Sequence, residues 1–313
     1  FYAVWDEVVG LWSVDEYDVQ RLVDQDLYGH YEEVKSRFDG AIKVKYLGNF
    51  SSGSWLKFQQ YIKSLSDTYF QLDERLTFDN EEVSKSDYVS RRLPYSLNDG
   101  SYAAYDELVS TLYDPPERDK LEWAIGSVLC GDSRSIQKFA VLYGSAGSGK
   151  STALNIIQSL FEGYTATFDA KSLGGSNNSF ATEAFRANPL VAIQQDGDLS
   201  RIEDNTKLNS IVSHEDMLMN EKYKAGYTSR VNAFLFMGTN KPVKITDAKS
   251  GIIRRLIDIR PSGRRVTPQR YQVLTSQIRF ELGSIATHCL DVYRGMGKDY
   301  YADYRPVEMM LQT

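Results

Sequence analysis

Three short and almost wholly apolar runs stand out in a chain where apolar residues otherwise recur with helical spacing. They cover residues 139–143, 189–193 and 233–237. Runs of this length, each followed by glycine or by polar residues, are typical of strands buried on both faces of a parallel sheet. Apolar residues elsewhere recur every three to five positions, which predicts helices. The pattern therefore predicts an α/β fold with a central parallel sheet flanked by helices.

The segments around these runs can be assigned by the same periodicity. Helical spacing is found over residues 19–38, 54–65, 105–113, 117–129, 203–212 and, as one closing helix, 271–292. Strict alternation and extended character predict strands over residues 72–80, 88–95 and 256–259. We predict three regions: a mostly helical N-terminal accessory or oligomerisation region over 1–114, a core domain over 115–262 and a helical C-terminal segment over 263–313.

The loop after the first apolar run matches G-x-x-x-x-G-K-[ST] at every fixed position, and a helical pattern follows it. Strand, glycine-rich loop and helix are the context in which this motif binds nucleotide phosphates. Glycines let backbone N–H groups turn towards an anion, and the helix directs the positive end of its dipole at the same point. The predicted nucleotide-binding residues are Gly144, Ser145, Ala146, Gly147, Ser148, Gly149, Lys150, Ser151 and Thr152.

Two of these residues have more specific predicted roles. We expect Lys150 to reach the β- and γ-phosphates of ATP and the Ser151 hydroxyl to hold Mg²⁺.

The second apolar run ends in Gln194, Gln195 and Asp196, some forty residues after the loop. An acidic residue there would lie at the carboxyl edge of the sheet near Ser151 and hold Mg²⁺, directly or through water. Asp196 is our candidate for this role.

The third apolar run ends in a polar segment that includes Asn240, which could contact the γ-phosphate or the attacking water. Fourteen residues later comes the pair Arg254 and Arg255. In a protein with a phosphate-binding loop, such a pair is best interpreted as an arginine finger supplied to a neighbouring subunit. Residues 220–227 interleave basic and aromatic residues around a glycine, as expected at the tip of a hairpin.

Net charge limits which partners the chain can have. The sequence has 36 Lys and Arg against 42 Asp and Glu, a formal net charge of −6. This argues against a surface covered in nucleic-acid-binding charge, but it allows a local basic channel. Basic residues do concentrate over residues 241–279, which contain ten Lys and Arg and two Asp.

Other composition features exclude several classes of protein. No apolar run approaches the roughly 20 residues that a membrane span needs. The two cysteines, Cys130 and Cys289, are far apart in sequence, which indicates a reducing, cytoplasmic compartment with both as small buried side chains. The three histidines show no metal-ligand spacing. Because the chain begins with Phe1 rather than Met, we expect it to be part of a longer protein.

These motifs, in this order and spacing, resemble those of the superfamily 3 helicases, a branch of the AAA+ ATPases. The likeness is greatest to the helicase half of phage and plasmid primase-helicases, and it is good over residues 70–262. It rests on the glycine loop, the run ending at Asp196, and the segments 220–224, 238–242 and 251–255.

The resemblance implies an ATP-dependent DNA helicase of phage or plasmid replication, with an AAA+ core over residues 115–262. It implies a hexameric ring that binds ATP and Mg²⁺ between subunits and moves along single-stranded or forked DNA. The resemblance also implies a primase or polymerase domain upstream in the full chain and a location in the host cytoplasm. By position, Asn240 is the sensor, one of Arg254 and Arg255 is the trans finger, and Lys222 and Lys224 grip the DNA backbone in the channel.

One position departs from the family pattern. Family members usually carry an acidic residue where this chain has Gln195, and that residue helps to activate water. Glutamine can orient water but cannot accept its proton. Three alternatives follow: Asp196 does both jobs, Asp198 or Glu203 supplies the base, or hydrolysis is slow.

Two other functions fit part of the same pattern. A non-motor AAA+ ATPase, acting as a replication loader or assembly factor, would share the loop and the arginine pair because it also assembles into rings. A small-molecule kinase would share the loop but would be a monomer with an acceptor pocket, and it gives no reason for Arg254 and Arg255.

Overall fold

The computed structural model describes residues 3–38, 43, 52–65, 72–173, 182–197, 206–219, 227–241 and 251–306. Cα packing divides the chain into two units. The N-terminal unit comprises Phe1–Thr77 and Glu81–Arg92, and the C-terminal unit comprises Phe78–Asn80 and Leu93–Thr313. The three predicted regions, with limits at 114 and 262, stay a prediction.

The chain up to residue 93 combines helices with two two-stranded sheets. Its elements are β1 (Val4–Asp6), β2 (Leu11–Ser13), α1 (Glu16–Phe38), α2 (Ser52–Leu65), β3 (Asp73–Phe78) and β4 (Val89–Leu93). The two sheets are β1-β2, which is antiparallel, and β3-β4. Both predicted helices and both predicted extended segments are confirmed. The hairpin of β1 and β2 was not predicted, because its strands have three residues each. Its turn is fixed by the Asp6 carboxylate, which accepts hydrogen bonds from the backbone N–H groups of Val8 and Val9.

The remaining elements belong to the C-terminal unit and alternate between helix and strand. The helices are α3 (Ala103–Leu112), α4 (Pro115–Leu129), α5 (Ser133–Ile136), α6 (Lys150–Leu160), α7 (Ala170–Leu173), α8 (Thr206–Val212), α9 (Pro268–Ile278) and α10 (Leu282–Met296). The strands are β5 (Phe139–Tyr143), β6 (Thr165–Thr167), β7 (Val191–Gln194), β8 (Asp216–Met219), β9 (Tyr227–Arg230), β10 (Phe234–Thr239) and β11 (Leu256–Ile259).

Five of these strands form one parallel sheet in the order β11-β5-β10-β7-β6. All six residues of the central strand β10 are buried, as are all four of β7 and of β11. Strands covered on both faces favour apolar side chains in most positions, which explains the continuous runs in the sequence. The predicted α/β fold with a parallel sheet flanked by helices is therefore confirmed.

Two groups of helices cover the sheet. On one face, Phe139 and Val141 of β5 join Leu208 and Ile211 of α8 in a single buried cluster. Helices α4 and α6 contact β11 and β10, and α4 packs along α10. The α4–α10 contact depends on Gly126, where an added Cβ atom would lie 2.2 Å from the carbonyl oxygen of Cys289. The two backbones therefore approach too closely for any side chain at this position.

The predicted single helix over residues 271–292 is wrong, because the chain forms α9 and α10 with a break between them. The break puts the Glu281 side chain, which is buried, against the start of α3. Its carboxylate accepts hydrogen bonds from the backbone N–H groups of Ala104 (3.1 Å) and Tyr105 (3.0 Å). These are N–H groups that a helix start leaves without intrahelical partners. The periodicity continues across the break, so it gave no sign of this long-range cap.

Two further expectations concern single residues and membrane spans. Cys289 is buried as predicted, but Cys130, the C-cap residue of α4, is exposed. Both cysteines are free thiols. Among the described residues, none of the helices combines the length and the apolar character that crossing a bilayer requires.

The close approach at Gly126 generates a stability prediction with a matched control. Gly126→Ala should lower the free energy of unfolding by about 1–3 kcal/mol or more, because the added methyl group overpacks the α4–α10 contact. Gly295→Ala, also within a helix, has open space around the new Cβ atom. It should be neutral or stabilising by up to about 1 kcal/mol through helix propensity. Thermal and urea unfolding of the two variants would measure this, and equal effects would contradict the proposed backbone contact.

Candidate nucleotide-binding site

The glycine loop lies at the carboxyl edge of the sheet, between the end of β5 and the start of α6. Gly147 and Gly149 adopt φ values of +72° and +104°, which strain any residue with a side chain. Gly149 has a second reason to be glycine, because a Cβ atom there would lie 2.9 Å from the Leu112 side chain. Gly144 N–H donates to the Thr239 carbonyl at 3.2 Å, which ties the start of the loop to β10. The motif thus has the backbone that phosphate binding requires.

Lys150 folds back over this loop and is buried, with 6% of its surface exposed. Its Nζ donates hydrogen bonds to the carbonyl oxygens of Gly144 (2.7 Å) and Ser145 (2.8 Å) and to Oδ1 of Asn240 (2.7 Å). Burial lowers the pKa of the Lys150 ammonium, and the negative charge of Asp196 opposes that shift. All three ammonium hydrogens are therefore used, so a phosphate oxygen would have to replace a loop carbonyl as partner.

Asn240 joins Lys150 to the acidic residue of the site. Its Nδ2 donates to Oδ1 of Asp196 at 3.2 Å, while its Oδ1 accepts from Lys150. Lys150, Asn240 and Asp196 follow β5, β10 and β7, respectively, and these strands are neighbours in the parallel sheet. Because β10 lies between the other two, Asn240 is held between the lysine and the carboxylate. The structure therefore brings together Lys150, Asn240 and Asp196, three of the five predicted catalytic residues.

The ends of β7 and β10 approach each other closely, which sequence reasoning missed. An added Cβ atom at Gly238 would lie 2.4 Å from the Gln195 carbonyl oxygen. The Gly197 N–H donates to the Gly238 carbonyl at 2.8 Å. A glycine inside a strand pattern is the available signal, since it often marks such an approach. This contact fixes the backbone on both sides of Asp196.

The contacts of Gln195 give no support for a role of this residue as an acid or a base. Its Nε2 donates to Oδ1 of Asn155 in α6 at 2.9 Å. Its Oε1 and the Ser148 Oγ are both buried, and neither has a hydrogen-bond partner among the described residues. Buried oxygens of this kind normally find a partner, so each is available to a ligand or to water at the site. The other two candidate bases, Asp198 and Glu203, lie outside the described residues.

The residues fit a magnesium ion only together with a nucleotide. Asp196 and Ser151 are both exposed, at the end of β7 and in the first turn of α6. In the part of the chain that the structure describes, no three His, Cys, Asp or Glu side chains group as a metal site. Mg²⁺ commonly takes one or two protein oxygens plus substrate phosphates and water. One carboxylate and one hydroxyl beside a phosphate-binding loop match that donor set.

A cleft of about 230 Å³ opens beside the loop and shows residues that sequence reasoning missed. It is lined by residues 147–152 and by Leu112, Arg265, Val266 and Tyr271. The hydroxyl groups of Tyr271 and Thr152 lie 3.3 Å apart. Arg265, Val266 and Tyr271 come from the predicted C-terminal segment, which therefore contributes directly to this site. The lining therefore combines the glycine loop with apolar Leu112 and Val266 and aromatic Tyr271, side chains of the kind that the sugar and base of a nucleotide would require.

Arg254 and Arg255 are not part of this cleft. They precede β11, whose first residue pairs with Phe139 at the start of β5. The loop follows the other end of β5, and a strand of five residues spans roughly 16 Å. The arginine pair is therefore at the amino edge of the sheet, and the loop is at the carboxyl edge.

The predicted DNA-binding residues Lys222 and Lys224 lie outside the described residues. The strands on either side of them are described. β8 and β9 pair antiparallel, with Met219 opposite Tyr227, and an ion pair of 3.0 Å joins Asp216 to Arg230. The connecting residues 220–226 lie outside the described residues, and their predicted place at a hairpin tip stays a prediction.

Comparisons with known proteins identify similar folds but no established function. A family described as a family of unknown function (DUF5906) matches residues 142–255. A search of curated proteins gives no match. The apo A-form structure of the NrS-1 C-terminal region is similar with a TM-score of 0.51 and 14% identity, covering 82% of this chain and 68% of that one. A second apo structure of that region, residues 305–718, has a TM-score of 0.49 and 12% identity and covers 86% and 70%. At these identities the likeness concerns the fold alone, and this chain shares that of the NrS-1 C-terminal region.

Proposed function

We propose that the chain is the ATPase part of a DNA helicase, with an AAA+ core of the superfamily 3 type, that acts as a hexameric ring on single-stranded or forked DNA. The observation that carries the proposal is the hydrogen-bonded line from Lys150 through Asn240 to Asp196, directly beside the glycine loop. It combines a phosphate-binding cation, a polar sensor and a carboxylate at one edge of a parallel sheet. These are the parts that hydrolysis of a nucleoside triphosphate needs.

Each residue has a role in this proposal. The backbone of residues 144–149 and the Lys150 ammonium bind the β- and γ-phosphates. Ser151 and Asp196 hold Mg²⁺, which supplies positive charge against the negative charge that develops during phosphoryl transfer. Asn240 contacts the γ-phosphate or orients the attacking water. Asn240 is hydrogen-bonded to both Lys150 and Asp196. Loss of the γ-phosphate would therefore change the hydrogen bonding of all three residues together.

Asp196 is the candidate base that the geometry favours. Its carboxylate is exposed, and it contacts the sensor that faces the γ-phosphate. Gln195 has no proton-accepting group, and its amide is engaged with Asn155. We therefore propose that Asp196 both holds the metal and accepts the proton of the attacking water. A carboxylate that serves a cation is a weak base, so this arrangement also predicts modest turnover.

The assignment to a ring and to DNA is supported by two further features. Arg254 and Arg255 are on the opposite edge of the sheet from their own glycine loop, where they could serve a second copy but not their own nucleotide. Lys222 and Lys224 lie in sequence between β8 and β9, which pair antiparallel. Lysines that contact only phosphates suit a motor that must move over any sequence. A primase or polymerase domain upstream remains part of the same proposal.

Lys150→Ala tests nucleotide hydrolysis. Phosphate release from ATP should fall about 100-fold or more, because the transition state loses the cation that faces the β- and γ-phosphates. Lys171→Ala, which removes an exposed lysine from α7, should hydrolyse ATP at the wild-type rate. Unchanged hydrolysis in the Lys150 variant would show that the glycine loop is not the active site.

Three single substitutions test the assignment of the base. Asp196→Asn should abolish hydrolysis but still bind ATP in the presence of EDTA, because the lysine and the loop remain. Asp198→Asn and Glu203→Gln should each hydrolyse ATP at close to the wild-type rate, since the proposal gives neither carboxylate a role in the reaction. If either of the latter abolished hydrolysis without weakening ATP binding, the base would be that residue and not Asp196.

The double variant Lys222→Ala and Lys224→Ala tests for a motor. Unwinding of a forked DNA should be lost, while hydrolysis of ATP in the absence of DNA should be kept, because the proposal assigns these lysines to DNA and gives them no contact with the nucleotide. A matched variant, Lys35→Ala and Lys57→Ala, removes the same charge from α1 and α2 and should still unwind. If the wild-type protein hydrolyses ATP and assembles but does not unwind, the chain is an assembly factor instead of a helicase.

A further inference from the structure

The chain after α10 returns to β11, the strand at one edge of the parallel sheet. Residues 297–306, which we call the C-terminal strap, consist of turns and irregular backbone. Tyr301 and Pro306 of the strap are buried, whereas most of its other residues are exposed. A segment without regular structure keeps its place only through contacts with other elements, and three sets of contacts within the C-terminal unit fix the strap.

The first contact is with Trp123 of α4, which is fully buried. The indole N–H of Trp123 donates to the carbonyl oxygen of Gly297 at 3.0 Å. The ring of Tyr301 lies edge-on to the indole, with the two ring centroids 5.1 Å apart and the ring planes at 85°. Edge-to-face packing is a favourable arrangement for two aromatic rings. The first half of the strap is therefore fixed to α4.

The second contact joins Tyr304 of the strap to Asp258, which is buried in β11. The Tyr304 hydroxyl donates to Oδ1 of Asp258 and accepts from Nζ of Lys120 in α4, the latter at 2.9 Å. The Lys120 ammonium also donates to the backbone carbonyl of Asp258 at 2.9 Å. Burial, together with the hydrogen bond to Asp258, raises the pKa of the Tyr304 hydroxyl, so it remains a donor. The second half of the strap is thus hydrogen-bonded to the edge strand.

The third contact joins the strap to the turn that carries Arg254 and Arg255. Nζ of Lys138 donates to the carbonyl oxygens of Ala302 in the strap (3.1 Å) and of Arg254 in the turn (2.5 Å). An ammonium group has three donors and can therefore bind two carbonyl groups at once. Lys138 is buried, with 6% of its surface exposed, and burial lowers its pKa to about 8. We call this pair of hydrogen bonds the Lys138 bridge.

The bridge acts on the backbone of a turn that has few internal hydrogen bonds. Ile253–Arg255 is a single 3₁₀ turn, an element whose hydrogen-bond geometry is poor. On its other side, Nη1 of Arg255 donates to the Asn209 carbonyl of α8 at 3.2 Å. The side chain of Arg254 is exposed, and its direction follows from the backbone that Lys138 holds. The Lys138 bridge therefore determines where the Arg254 side chain starts.

We propose that the C-terminal strap is a positioning element of the nucleotide reaction and that Lys138 is its positioning residue. The strap, fixed on α4 and β11, holds the backbone of Arg254 through the Lys138 bridge and so orients the Arg254 side chain. The inference rests on the proposed function, in which the arginine pair serves the nucleotide of a second copy. Lys138 itself contacts neither nucleotide nor metal. Its role follows from the precision that a reacting group needs, since a misplacement of about 1 Å can cost about 100-fold in rate.

Hydrogen–deuterium exchange measured by mass spectrometry tests the bridge without reference to nucleotides. Lys138→Met keeps the aliphatic chain and removes both hydrogen bonds. The backbone of residues 251–256 should exchange at least about 10-fold faster than in wild type, because the loss of charge-assisted hydrogen bonds favours local opening. Exchange in β7 and β10 should be unchanged. Lys138→Arg, which keeps the charge and the donors, should recover slow exchange.

A pair of tyrosine variants tests whether the strap acts as a unit. Tyr304→Phe removes the hydroxyl group that binds Asp258 and should also speed exchange in residues 251–256, although Tyr304 does not bond to that turn. Tyr300→Phe removes a hydroxyl group from an exposed residue of the same strap and should match wild type. Thermal unfolding identifies variants that have lost the fold, and Tyr304→Phe carries the test if Lys138→Met does not fold.

Steady-state hydrolysis of ATP tests the positioning role. In Lys138→Met, kcat should fall between about 10-fold and about 100-fold. KM should stay within about twofold of wild type, because the glycine loop is at the other edge of the sheet. Arg254→Ala should lower hydrolysis at least about 100-fold. Adding Lys138→Met to Arg254→Ala should lower it by less than about twofold more, because the side chain that Lys138 positions is then absent.

Each contrary result has a different meaning. Wild-type exchange of residues 251–256 in folded Lys138→Met and Tyr304→Phe would overturn the bridge. Full multiplication of the two losses in the double variant would show that Lys138 does not act through Arg254 and would overturn its positioning role. If the wild-type protein does not hydrolyse ATP, the proposed function fails and the positioning role fails with it, whereas faster exchange in the two variants would still establish the bridge.

Discussion

The parallel alignment of five strands determines where every candidate residue of this protein can act. In a parallel sheet all carboxyl ends meet at one edge and all amino ends at the other. Lys150, Asn240 and Asp196 follow β5, β10 and β7 and therefore converge. Lys138 and Arg254 precede β5 and β11 and converge equally, but at the opposite edge. Two charged sites on one chain thus result from strand direction alone, and a strand of ordinary length keeps them apart.

Glycines and one buried carboxylate bring the supporting elements close enough for these sites to form. Gly238 lets the end of β10 touch the backbone of Gln195, and Gly126 lets α4 lie against α10. Glu281 connects the break between α9 and α10 to the start of α3. The end of α3 in turn supplies Leu112, which rests against Gly149 of the loop. The glycine loop is therefore supported by both the sheet and the C-terminal helices.

Most of the sheet and half of the site could be predicted from the sequence, because the signals involved are local. Apolar runs identify buried strands, and a glycine motif between a strand and a helix identifies a phosphate loop. The break at Glu281 could not be predicted, since its cause is a hydrogen-bonding partner 177 residues away in α3. The burial of Lys138 could not be predicted either, because a single lysine before a strand forms no recognisable sequence pattern. Only the folded chain shows that it is buried beside Arg254.

The hydrogen bonds of Lys150 have a consequence for kinetics. Because its ammonium is bound to the carbonyl oxygens of Gly144 and Ser145, arrival of a nucleotide exchanges one set of hydrogen bonds for another. In the proposed ATPase, such an exchange would keep the loop ordered between catalytic cycles, so little conformational entropy would be lost on binding. The same hydrogen bonds would also reduce the affinity for phosphate, because the carbonyl oxygens compete with it for the Lys150 ammonium group. In the proposed ATPase, this competition would favour release of the product over its tight retention.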